Sequence, residues 1–231
     1  KYEITYYPIN DSFTTNLADG SGFLQVGISL STFYDGKVIS NIKRQQVPIR
    51  SAVLMVLAEK GYEVEFIEVN VLKGEDKLPE YLKRQPFGEI PVLEDDGYVL
   101  YESRAIMRYL DQRLPGPALT PVDIRTRALM EQWISVESSN FTPQVMKIIM
   151  NMMFYPMMGK EPDMAAVEAA RVEAGKALDV LGRNLEKQEY LAPSGFSIAD
   201  ISYMPYITYL FGAKSGDLIT DRPAIAAWWE R

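Results

Sequence analysis

The chain has no cysteine and no histidine in 231 residues. The first absence excludes disulfides, a thiolate nucleophile and cysteine-type metal centres, and the second excludes an imidazole base and histidine ligands. Most hydrolase and metalloenzyme mechanisms go with them, and no metal site is expected. Any chemistry must come from hydroxyls, carboxylates, cations, backbone dipoles or a reactive group carried by a co-substrate. Basic residues are also scarce, 24 against 31 acidic for a net charge of -7. The positive footprint of a nucleic-acid binder is therefore missing. Long apolar runs are missing too: Ala52 to Ala58 and the methionine-rich stretch near Met150 fall far short of the roughly 20 residues that span a bilayer. The sequence reads as a soluble, cytoplasmic chain with small-molecule or protein partners, not nucleic acid or membrane. What is abundant is apolar surface, 47% of residues, enough for a substantial core.

Residues 1–22 read as an N-terminal extension rich in turn formers. Phe23 to Tyr34, "FLQVGISLSTFY", alternates apolar and polar positions and predicts a strand. From Lys37 to Lys60 the spacing of Val38, Ile42, Ile49, Val53, Val56 and Leu57 is helical, with Pro48 dividing the segment and Gly61 ending it. Tyr62 to Val71 alternates as a second strand, and "LPEYLKRQ" is a short helix or turn. "IPVLED" and "YVLYE" flank the tight turn "DDG", and Ser103 to Arg113 is helical. The order βαβ, connection, ββα is that of a thioredoxin-like domain, residues 23–113. "LPGPALTP", residues 114–121, carries three prolines and reads as a linker. Residues 122–231 predict an all-helical domain, with helices from Asp123 to about Met158, Asp163 to about Glu186, Ser197 to about Phe211, and from Pro223 onward.

Within "QPFGEIPVLEDDGYVLYESRAIMRYL", the bond before Pro91 can be cis, which would let the Ile90 backbone face outward and pair with an extended peptide. A plain strand-entry proline is the alternative. Glu102 and Ser103 stand where strand becomes helix, so a hydroxyl and free amides there can hold a carboxylate, or Ser103 can act as an ordinary cap. Ser197 and Asp200 in "SIAD" have the spacing of a capping box. Core packing is the expected role of most of Met146, Met150, Met152, Met153, Met157 and Met158, with Phe141, Tyr155 and Met158 as candidates for lining an apolar substrate pocket.

These motifs, with "KGEDKLPEYLKR", "FTPQ" and "GFSIADISYMPYITYLF", resemble a glutathione transferase of the Phi-like type over about residues 53–231. The resemblance implies a thioredoxin-like domain followed by an all-α domain, glutathione as co-substrate, a small electrophile as second substrate, and a homodimer. It also implies that Ile90 and Pro91 meet the cysteinyl unit, Glu102 and Ser103 the γ-glutamyl end, and Lys77 the glycyl carboxylate, with Glu89 beside them. Two positions depart from the pattern: Asp76 stands where His is usual and Glu89 where Gln is common.

The family reaction uses a Ser or Tyr hydroxyl at the start of the first helix to favour the glutathione thiolate. Ungapped alignment of "AVLMVLAEKG" puts Val47 at that serine position, and valine has nothing to donate, which leaves the catalytic hydroxyl unassigned; the substitute candidates are Ser51, one turn further on, and Ser31 and Tyr34, which with Thr32 end the preceding strand. Upstream, "YYPINDSFTTNLADGSGFLQVGISLSTF" and "NIKRQQVPIRSAVLMVLAE" resemble the flagellar motor-associated FliL family over about residues 6–59. The two resemblances together imply a chimera in which residues 23–59 supply a FliL-like strand and helix; a divergent transferase with a similar N-terminal extension is the alternative.

Overall fold

A computed structural model describes residues 24–27, 52–62, 65–67 and 69–231. The chain divides into two compact units, residues 1–117 and 118–231.

The first unit has a four-stranded sheet in the order β2-β1-β3-β4, formed by β1 (Leu24–Gly27), β2 (Glu65–Phe66), β3 (Val92–Asp95) and β4 (Tyr98–Tyr101). Strand β1 lies parallel to β2, with Gln25 opposite Glu65, and antiparallel to β3, with Val26 opposite Leu93. The strand expected from residue 23 onward thus pairs with the one expected after Tyr62. The β3–β4 hairpin closes through Asp96 and Gly97, whose φ of 48° and 81° are the two positive values that a two-residue turn of this hand needs. Where a longer strand was expected up to Val71, among the described residues only Glu65–Phe66 pairs. Asn70 ends the extended stretch, because its side chain accepts the Lys73 amide at 3.0 Å and starts a 3-10 turn over Val71–Lys73.

Helix α1 (Ala52–Lys60) buries Val53, Val56 and Leu57, the positions its spacing predicts, and packs against a helix over Ser103–Arg113. A short helix, α2, covers Pro79–Leu82, and the helix Ser103–Arg113 is α3, with Ile106, Met107 and Leu110 buried. At their C-terminal ends the two long helices are joined by a buried ion pair. Lys60 Nζ lies 2.7 Å from Asp111, with side chains 2% and 3% exposed, and donates to the Asp111 carbonyl at 2.9 Å. The ammonium therefore neutralises a carboxylate and also meets the negative end of α3.

The second unit is all helical. Helix α4 (Ile124–Val136), α5 (Thr142–Ile149) and α6 (Tyr155–Met157) are joined by π turns at Glu137–Phe141 and Met150–Phe154. There follow α7 (Met164–Leu185), α8 (Ile198–Gly212), α9 (Asp217–Thr220) and α10 (Pro223–Trp229). Asp123 caps α4 by accepting the Thr126 amide at 2.9 Å, and Asp163 caps α7 by accepting that of Ala166 at 3.0 Å. The capping box of α8 is present. Asp200, fully buried, accepts the Ser197 amide and the Leu191 amide, each at 2.9 Å, and also the indole N–H of Trp228 at 2.9 Å. Burial raises its carboxyl above the ordinary value, and the donors from Leu191, Trp228 and Ser197 oppose that rise. Among the described residues no helix is long and apolar enough to cross a membrane, and no group of three His, Cys, Asp or Glu is placed to hold a metal ion.

Two substitutions test these buried charges. Lys60→Met leaves Asp111 buried without its cation and is expected to destabilise the protein by about 3–5 kcal/mol, whereas Lys60→Met with Asp111→Leu regains most of that loss, as read by urea denaturation. Asp200→Ala strands three buried N–H donors and is expected to lower stability by about 3 kcal/mol or more; near-ultraviolet circular dichroism at Trp228 should change with it.

Candidate functional site

The segment between α2 and β3 is shaped by four contacts. Gln85, buried, accepts the Phe87 amide on its side-chain oxygen at 2.6 Å, and its carbonyl accepts the Gly88 amide at 3.0 Å. Gly88 has φ +64°, and a Cβ there would come within 2.7 Å of the Asp76 carbonyl and the Lys77 side chain, so only glycine fits. Tyr81, 5% exposed, donates its hydroxyl to the Glu89 carbonyl at 2.6 Å. Burial pushes that phenol up to about 12, which keeps it a donor throughout the neutral range. Val69, Tyr81 and Val92 form a small core against which Ile90 and Tyr101 pack.

Beyond this turn the Ile90–Pro91 peptide bond is cis. Among the described residues no partner takes the amide or the carbonyl of Ile90. The backbone at Ile90 therefore offers a free donor and acceptor to an extended ligand.

The hairpin register decides what stands next to it. Val92 is opposite Tyr101, so Pro91 and Glu102 flank the same end of the β3–β4 pair. Residues opposed in an antiparallel pair are about 5 Å apart. Glu102 has φ 69° and ψ 109°, a region that non-glycine residues seldom occupy and that marks functional positions when the surroundings enforce it. Its carbonyl accepts the amides of Ala105 and Ile106, both at 2.9 Å, while its side chain makes no cap. Glu102, not Ser103, occupies the cap position, and Ser103 is the first residue of α3. Helix α3, 11 residues long, starts one residue after Glu102, so its first amides and the positive end of its dipole begin at the end of the hairpin that Pro91 flanks.

Lys77 lies on the far side of Gly88. Its ammonium donates to the Phe87 carbonyl at 3.2 Å and to the Gly88 carbonyl, and lies 3.2 Å from Asp76 Oδ2. The Asp76 side chain is 4% exposed, and among the described residues its Oδ1 has no hydrogen-bond partner. Glu89 is exposed.

The structure thus brings Ile90, Pro91, Glu102 and Ser103 to one end of the hairpin and joins Lys77 to the same turn. Phe141 is 1% exposed, with its ring 5.0 Å from that of Tyr203 inside the helical unit. Tyr155 is half-buried under the Lys160 ammonium, and Met158 is 51% exposed. The methionine cluster departs from the packing expected of it: Met146, Met150, Met152 and Met153 are half-buried, and Met157 and Met158 are exposed. The π turn at Met150–Phe154 changes the face presented at each step, which takes Met150, Met152 and Met153 off a single buried stripe. Val47, Ser31, Tyr34 and Ser51 lie outside the described residues. In the sequence Asp76 shows only as a departure from the family pattern, and Tyr81 and Gln85 carry no signal of their own, since only the folded turn brings the three together.

The profile of the glutathione S-transferase N-terminal domain matches residues 45–112 and that of the C-terminal domain residues 145–231. The first reaches upstream of Val53, so residues 45–52, expected to be FliL-like, match the transferase domain. Glutathione S-transferase F10 of Arabidopsis thaliana is 40% identical over 181 residues, covering 77% of this chain and 84% of that protein. Among solved structures, glutathione transferase F7 from Populus trichocarpa superposes with a TM-score of 0.78 at 30% identity, over 90% of this chain and 92% of that one. Glutathione S-transferase I from maize, in complex with an atrazine glutathione conjugate, does so with a TM-score of 0.75 at 26% identity, over 90% of each chain. With its thioredoxin-like first unit and helical second unit, the chain belongs to the glutathione S-transferase family, on the Phi side of it.

Proposed function

We propose that the end of the β3–β4 hairpin binds glutathione and that the chain presents its thiol to a small electrophile for conjugation. The observation that carries this is the pairing of Val92 with Tyr101, which sets a cis Ile90–Pro91 bond beside the strained Glu102 at a helix N-terminus. The free Ile90 backbone suits the cysteinyl unit, which pairs as a short strand. The α3 amides and the Ser103 hydroxyl suit the γ-glutamyl carboxylate, and the exposed Glu102 and Glu89 carboxylates suit its ammonium or the ligand's edge. Lys77 borders the glycyl end. The maize relative, solved with a glutathione conjugate of atrazine, supports an electrophile as second substrate. A homodimer belongs to the same proposal.

Thiol activation is the weak step. With Val47 at the donor position, binding energy is retained while one hydrogen bond to the forming thiolate is missing. A second proposal follows from the same residue: residues 23–59 are of FliL type, and the chain is a chimeric scaffold that binds glutathione without turnover. Strand β1, paired on both sides, then fills the sheet position a transferase strand would hold.

Retention on immobilised glutathione together with conjugation of a chromogenic electrophile separates the two. Retention with slow turnover is expected, and Val47→Ser should raise kcat by about tenfold or more, short of the roughly 10²–10³ attached to a single transition-state donor. An unchanged kcat would count against the alignment at Val47, and no retention would overturn the site. Tyr81→Phe removes the bond that holds the Glu89 carbonyl; it should weaken glutathione binding roughly fivefold in calorimetry, the equivalent of about one hydrogen bond, with little change in melting temperature.

A further inference from the structure

The Lys77 ammonium is engaged with oxygens of the protein itself. An ammonium has three N–H donors, and three acceptors surround this one: the carbonyls of Phe87 and Gly88 and Asp76 Oδ2. Gly88 permits the arrangement, since a Cβ there would collide with Lys77 Nζ at 2.7 Å. The side chain is 61% exposed, so a ligand carboxylate can approach the lysine from solvent but competes with these three oxygens for its donors.

A partner displaced in that competition would suffer for it. Asp76 is almost wholly buried, and its Oδ1 has no hydrogen-bond partner among the described residues. Drawing Lys77 outward leaves this carboxylate more poorly compensated than before, the costly direction for a buried charge. An incoming carboxylate approaches the exposed Lys77 side chain through water, and the opposing charge of Asp76 weakens its attraction to the ammonium by the modest amount of a screened pair.

We propose that Asp76 and the carbonyls of Phe87 and Gly88 hold the Lys77 ammonium on the protein's own oxygens, so that this site accepts γ-glutamyl thiol peptides whether or not they end in a glycyl carboxylate. The inference rests on the glutathione site proposed above and concerns the specificity of its glycyl end. Asp76 acts here as a specificity-determining residue through Lys77 and does not touch the reacting atoms.

Calorimetric titration of the full chain with glutathione and with γ-glutamylcysteine tests it. The wild type is expected to bind the two with dissociation constants within about threefold, the small difference of a contact that is not made. Asp76→Asn, close to the same shape, removes the competing charge and is expected to tighten glutathione about fivefold while leaving γ-glutamylcysteine unchanged, a shift in ratio that loss of packing would not produce. A wild-type preference for glutathione above about tenfold would overturn the inference while the site itself stands. So would an Asp76→Asn protein of wild-type melting temperature with an unaltered ratio. Binding of neither peptide would instead remove the glutathione site, and the inference with it.

Discussion

The pairing of Val92 with Tyr101 is the constraint on which the candidate site depends. A peptide-binding edge and a helix N-terminus are each common, and each is weak alone. The hairpin places them side by side: its register sets Pro91 against Glu102, and the short turn at Asp96 and Gly97 leaves no slack by which that register could slip. A one-residue shift would turn the side chains of β3 to the opposite face and take Leu93 out of the core. The same packing that buries Leu93 therefore holds the two halves of the site together.

Around this hairpin the protein spends buried polar groups on geometry. Tyr81 fixes the carbonyl before Ile90, Gln85 fixes the amide of Phe87, and Asp95, buried at the other end of β3, accepts the Tyr109 hydroxyl at 2.6 Å and lies 3.2 Å from Arg113. The last two tie β3 to α3, so strand and helix terminus keep one relation to each other. In the helical unit Asp200 does comparable work by joining Leu191, Ser197 and Trp228 around the start of α8. None of these groups touches a ligand in the proposed function. Their role is to hold backbone atoms where a ligand's hydrogen bonds would fall.

Much of this was legible in the chain because it is local. Helical spacing located the buried face of α1, Asp123 and Asp163 marked helix starts, "DDG" marked the hairpin turn, and proline after Ile90 pointed to the exceptional peptide bond. The four-residue α9 was not read at all, having too few residues to show a period. Strand β2 was read too long, because alternation persists past the point where Asn70 turns the chain. The methionines were read as mostly core, and the π turn took Met150, Met152 and Met153 off that face. The cap of α3 was placed one residue late, since nothing in "YESR" announces that Glu102 adopts a positive φ.

By itself the sequence determined the fold class and the kind of chemistry available. Without cysteine or histidine any chemistry is left to hydroxyls, carboxylates, cations, backbone dipoles or a co-substrate, and the spacing of apolar residues commits the chain to an α/β unit and a helical one. Only the tertiary structure decided what the polar residues do. Lys77 and Asp76 are neighbours in the chain, but that the lysine is bound by carbonyls ten and eleven residues away and the aspartate is buried follows from the turn at Gly88 folding back on them. Charge is written in the sequence, whereas burial and partnership arise only when distant segments meet.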